Sequence, residues 1–129
     1  MTPWRRTFLC TLLGYLLTAQ PLSATELRQF ELKLQRHLFT PSTLYIPAGE
    51  KVKIRLVNLD DSPEEFESFK LNREKVVLGQ SEASIFVGPL KPGDYPFSGE
   101  YNPDTARGVI IALPLEEFNR LPVGGTHAD

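Results

Sequence analysis

The 129-residue sequence has one cysteine, one methionine, one tryptophan and two histidines. Cys10, Met1 and Trp4 all fall within the first 24 positions. From residue 25 onward no thiol remains to form a disulfide, hold zinc as a thiolate or attack a substrate. Helical periodicity is nearly absent, so a helix bundle is excluded. Glycine-rich phosphate loops and Ser–His pairs at useful spacing are missing as well, and no motif points to an enzyme. Basic excess is also lacking. Without Arg5 and Arg6, 12 basic residues face 16 acidic ones, a net charge of −4, and nucleic acid is not expected as a partner.

The opening residues are unlike the rest. Arg5 and Arg6 precede an apolar run from Phe8 to Leu17, followed by Pro21 and the small residues Ser23 and Ala24. This is the pattern of a secretory signal peptide over residues 1–24. The run is about half of the roughly 20 residues that span a bilayer. The sequence therefore predicts export, with a periplasmic destination, and a domain over residues 25–115.

Within that domain apolar residues alternate at Phe30, Leu32 and Leu34 and at Val52, Ile54 and Leu56. This is the period of two of half-buried strands. Short β-rich runs follow at 75–78, 83–87, 95–97 and 108–113, separated by turn chemistry at 47–50, 59–65, 78–82, 91–94 and 102–108. The expected fold is all-β, a Greek-key β-sandwich of about seven or eight strands. "LKPGDYPF" at 90–97 carries the arrangement of a tyrosine corner, in which the Tyr95 hydroxyl bonds an upstream backbone group. Phe66, Phe69, Phe86 and Phe97 are expected in the core. Residues 116–129 lose the alternation and are expected to form a polar, fraying tail.

The segment 60–74, which contains "EEFES", is ambiguous between strand and a short helix. In an extended segment Glu65 and Glu67 point to one side while Phe66 enters the core. Glu100 and Asn102 stand two residues apart in "GEYNPDTARG", with Asp104 behind them, and His37 is the one imidazole within the domain. Oxygen donors of this kind suit iron, manganese, calcium or magnesium. The alternative is a solvated acidic strand face balanced by Lys70, Arg73 and Lys75.

"FTPSTLYIPAGEKVKIRLVNLDDSPEEF", "GPLKPGDYPF" and "GEYNPDTARGVI" together resemble the cupredoxin family over about residues 28–113. That family holds copper at one end of a β-sandwich, through a histidine after the third strand and a Cys, a His and a Met on one loop. The resemblance places Gly99 at the Cys position, Asn102 at the His position, Ala106 at the Met position and the upstream His near Glu65. None of these supplies the family's sulfur and imidazole set, so a blue-copper electron carrier is not expected.

Within the group, "EEFESFKLNREKV" and "GEYNPDTARG" resemble cupredoxin-like proteins and domains of bacterial iron uptake, where a His would stand at Asn102. This resemblance implies an accessory of ferrous-iron uptake, with an iron permease and other periplasmic uptake components as partners. Its candidate metal-binding residues are Glu65, Glu67, Glu100, Asn102 and His37, and its ion is iron, or copper bound weakly at a site unlike the blue one. Any part in ferrous-iron oxidation is implied by the family alone. The alternative is a metal-free sandwich that docks on a membrane permease or another periplasmic partner.

Overall fold

The computed structural model describes residues 26–122 and the backbone of residues 127–128. The predicted signal peptide lies outside the described residues. Among the described residues ten strands run in order: β1 Gln29–Gln35, β2 Leu38–Thr40, β3 Thr43–Pro47, β4 Val52–Asn58, β5 Glu64–Ser68, β6 Arg73–Val77, β7 Ser81–Val87, β8 Gly93–Gly99, β9 Arg107–Leu113 and β10 His127–Ala128. Strict alternation of buried and half-buried positions along β4 shows why this segment is a strand: Val52, Ile54 and Leu56 fill one face.

The strands form two sheets, β2-β1-β4-β7 and β10-β3-β9-β8-β5-β6. The chain crosses between sheets after β2, β3, β4, β6 and β7, producing the expected Greek-key β-sandwich. Between the layers, Leu32, Ile46, Val52, Ile54 and Ile110 are fully enclosed. Phe66 stacks on Phe97 at 5.1 Å between ring centres, and Phe39 meets Phe97 edge-on at 5.1 Å. The tyrosine corner is present, with the Tyr95 hydroxyl donating to the Lys91 carbonyl at 2.8 Å.

Three expectations are corrected. Phe69 is 88% exposed and Phe86 44% exposed, so neither belongs to the core. Phe86 falls between the inward-facing Ile85 and Val87, and the period of two turns it outward, where the Lys51 ammonium sits 5.4 Å from its ring centre. Phe69 lies in the tight turn after β5. Regular structure also continues past Leu115, because a short helix, α1 (Leu115–Phe118), buries Phe118 edge-on against Phe30 at 6.1 Å.

The β1–β2 turn holds Arg36 and His37 at φ 53° and 57°, a conformation costly for residues with a side chain. The Asp60 carboxylate offsets that cost by accepting the Arg36 and His37 amides at 2.6 and 2.9 Å. Burial alone would raise the Asp60 pKa, but the His37 and Arg36 amides and charges outweigh it and hold the group below its usual value. A depressed folded-state pKa gives stability that is present above the unfolded value and lost as pH falls through the folded one. Asp60→Asn is expected to cost on the order of 1–2 kcal/mol at neutral pH and to flatten the loss of stability below about pH 4, read by thermal melts across pH. An unchanged acid profile would contradict this role.

Candidate functional site

Strand β5 settles the ambiguity at 64–68. Phe66 points into the core, and the same parity turns Glu64 and Ser68 inward and Glu65 and Glu67 outward. β5 lies between β6 and β8, with Glu67 opposite Ser98 and Phe66 opposite Gly99. The loop that leaves β8 at Gly99 therefore begins beside Glu64.

That loop is fastened throughout. The Gly99 amide donates to the Ala106 carbonyl at 2.7 Å, and the Ala106 amide to the Asn102 carbonyl at 2.9 Å. The Glu100 amide reaches across to the Glu65 carbonyl at 2.8 Å. Beneath it lies the Glu64 side chain, with Glu64 only 2% exposed. Its Oε1 accepts the Glu65 amide at 3.0 Å and the Tyr101 amide at 2.9 Å, and its Oε2 accepts Asn102 Nδ2 at 2.8 Å. Among the described residues no lysine, arginine or histidine pairs with it. Three N–H donors compensate for its lost hydration.

On the side of Gly99 and Ala106 the carboxylate leaves no room for another atom. A Cβ on Gly99 would stand 2.5 Å from Glu64 Cδ, 2.8 Å from Oε1 and 2.8 Å from the Ala106 Cβ. Ala106 is itself fully enclosed.

Glu65, Glu67 and Glu100 form a separate, outer group. Hydrogen bonding to Glu100 raises the Glu67 pKa, aided by partial desolvation and by the charges of Glu100, Glu74 and Glu65. Tyr101, 51% exposed, stands beside them. Solvent lost around its hydroxyl, then the charge of Glu65 and a hydrogen bond to it, hold the phenol above its usual value, with Glu100 and Glu64 adding to the effect. Asn102 turns away from the outer group to Glu64, and His37 Nδ1 lies 3.6 Å from Asp60 in the β4–β5 loop. Asp104 is almost fully exposed and meets Arg107 at 3.9 Å. Among the described residues, no three His, Cys, Asp or Glu side chains converge as a metal cage.

Because Glu67 has a raised folded-state pKa, its contribution is present below the unfolded value and lost as pH rises through the folded one. A glutamine can donate to Glu100 at every pH. Glu67→Gln is therefore expected to raise the melting midpoint at pH 7, with the gain disappearing below about pH 4. A lower midpoint at pH 7 would show that the acidic group is not under repulsion.

Residues 8–112 match the model of the cupredoxin-like domain family, and the chain belongs to that family. An uncharacterized protein of Rickettsia prowazekii is 39% identical over 83 residues, covering 64% of this chain and 66% of the relative, just under two thirds of its length. Among solved structures, amicyanin from Paracoccus versutus is 17% identical with a TM-score of 0.53, covering 74% of this chain and 86% of its own. Reduced auracyanin from Roseiflexus castenholzii is 11% identical with a TM-score of 0.56, covering 67% and 97%. At these identities the two structures establish the fold alone. Among the described residues no helix is long and apolar enough to cross a membrane.

The residues present do not fit the family's copper. Gly99, Asn102 and Ala106 supply no thiolate, imidazole or thioether, and Glu64 rather than Glu65 is the β5 side chain that reaches them. Sequence reasoning passed over Glu64, although its parity with Phe66 was a readable signal.

Proposed function

We propose that this protein is an exported cupredoxin-like interaction module that works without copper and meets its partner at the end of the sandwich carrying residues 99–106. The observation that carries this reading is the loop itself. It is pinned at both ends and from beneath, yet it presents a half-exposed Tyr101 beside Glu65, Glu67 and Glu100. A fixed aromatic side chain flanked by carboxylates suits a partner surface bearing lysine or arginine: the ring supplies contact area and the acids supply orientation and association rate. The resemblance to iron-uptake components makes an iron permease, or a periplasmic protein beside it, the partner to test.

Binding of the full-length protein to permease-containing vesicles addresses this directly. The Glu65→Lys, Glu100→Lys double variant is expected to weaken binding at least about ten-fold and to reverse its salt dependence. Equal binding by both proteins would refute the assignment of this face.

A second reading is favoured by the Glu67–Glu100 pair. Glu67 and Glu100 stand close enough to oppose one another's charge, and a divalent cation between them would relieve that opposition. Glu65, Glu67 and Glu100 would then bind ferrous iron weakly for delivery to the permease. Anaerobic calorimetric titration with ferrous, ferric, cupric and manganous ions tests it, using the wild type and a Glu65→Gln, Glu67→Gln variant. Saturable one-to-one binding that the variant loses is the expected signature of this reading, and no binding by either protein rejects it.

A further inference from the structure

We propose that the Glu64 carboxylate takes the place of the family's metal, joining β5 to the β8–β9 loop from inside the sandwich. The copper of the family bridges one residue near β5 and three on the loop. Here the residues on the corresponding loop positions, Gly99, Asn102 and Ala106, gather around one buried carboxylate. Asn102 donates to it, while Gly99 and Ala106 occupy the space beside it.

The three loop residues are explained together by that single group. Gly99 is the residue without a side chain where any Cβ would overlap Glu64 Cδ at 2.5 Å. The Ala106 Cβ would lie 2.8 Å from that same added atom, so a larger residue at either position competes with the carboxylate for one volume. Asn102 supplies an amide donor where an acidic or apolar residue would leave Oε2 without this partner. The Tyr101 and Glu65 amides bind Oε1 from the loop and the strand, so the carboxylate bridges the two segments. A hydrogen bond to an ionised acceptor is stronger than one between neutral groups, and burial strengthens it further. The carboxylate thus fastens the loop without any ion, and the four positions form one interdependent set.

This inference extends beyond partner binding and is tested without a partner. Glu64→Gln preserves size but turns one acceptor into a donor, opposing either Asn102 Nδ2 or the two amides at Oε1. Native-state hydrogen exchange is expected to quicken at Tyr101 by about ten-fold or more, while amides of β1 and β4 exchange as before. The milder variant Asn102→Ala, which removes one donor at a half-buried site, is expected to shift exchange at the same amide in the same direction. A second arm measures Gly99→Ala in two backgrounds. It is expected to lower the melting midpoint more in the wild type than in Glu64→Ala, where the Ala106 Cβ alone still crowds the added methyl. Unchanged exchange at Tyr101 in Glu64→Gln and Asn102→Ala, or an equal penalty for Gly99→Ala in both backgrounds, would overturn the proposal. Both outcomes are independent of whether the outer face meets a permease.

Discussion

Glu64→Ala is expected to destabilise the protein by about 3–5 kcal/mol, the sum of opposing effects. Removing the carboxylate eliminates a buried charge that has no ion-pair partner among the described residues, which favours the variant. Against this, the amides of Glu65 and Tyr101 and the Asn102 side chain lose their acceptor together. Each buried donor left without a partner costs roughly 1–3 kcal/mol. Asn102 is half-buried and can turn to water, so the two backbone amides dominate, and the void left by the side chain adds to their cost. The loss side wins. With a domain of this size, the midpoint should fall by about 12 °C or more, measured by calorimetry against the wild type. A variant as stable as the wild type would show that the carboxylate is a passive filler.

Phe66→Ala is expected to have a comparable effect, about 3–5 kcal/mol. Phe66 is 1% exposed, stacked on Phe97 and edge-on to Phe39 at 6.3 Å, so truncation removes both the transfer energy of the ring and two aromatic contacts. β5 is fixed by strand pairing to β6 and β8 on both sides and cannot close fully over the gap. Phe69→Ala is the natural control. At 88% exposure its loss should lie within about 0.5 kcal/mol of zero. Equal losses at the two positions in chemical denaturation would contradict the assignment of inside and outside on β5 and its turn.

The contrast between these two phenylalanines shows what the sequence made legible. Strands with clean alternation, such as β1 and β4, could be located from the period of two, and Tyr95 and Lys91 form the corner that "LKPGDYPF" predicts. The same period, applied strictly, turns Phe86 outward between Ile85 and Val87; aromatic size alone had placed it inside. Phe69 sits in a turn, where no alternation applies.

At the loop, Gly99, Asn102 and Ala106 could be placed by resemblance, and the structure does gather them around one group. Glu64 was harder to read, because a buried glutamate without a cation is disfavoured until its donors are known. Those donors are backbone amides and an asparagine up to 38 positions away, contacts that only the folded chain supplies. His37 illustrates the converse. Its residue type suggests a ligand, whereas its backbone conformation commits it to Asp60.

The central claim is that this cupredoxin-like domain is complete without copper, and a thermal melt under two conditions tests it most directly. The full-length protein is compared after exhaustive chelation and with cupric ion in large excess. A specific site filled to 100 times its dissociation constant would add about 2.7 kcal/mol of stability, a shift readily seen in a domain of this size. The account predicts coincident melting curves, with the Tyr101 amide protected equally in both. A midpoint raised by stoichiometric cupric ion and lowered by chelation would contradict it, showing that the metal rather than Glu64 holds the loop.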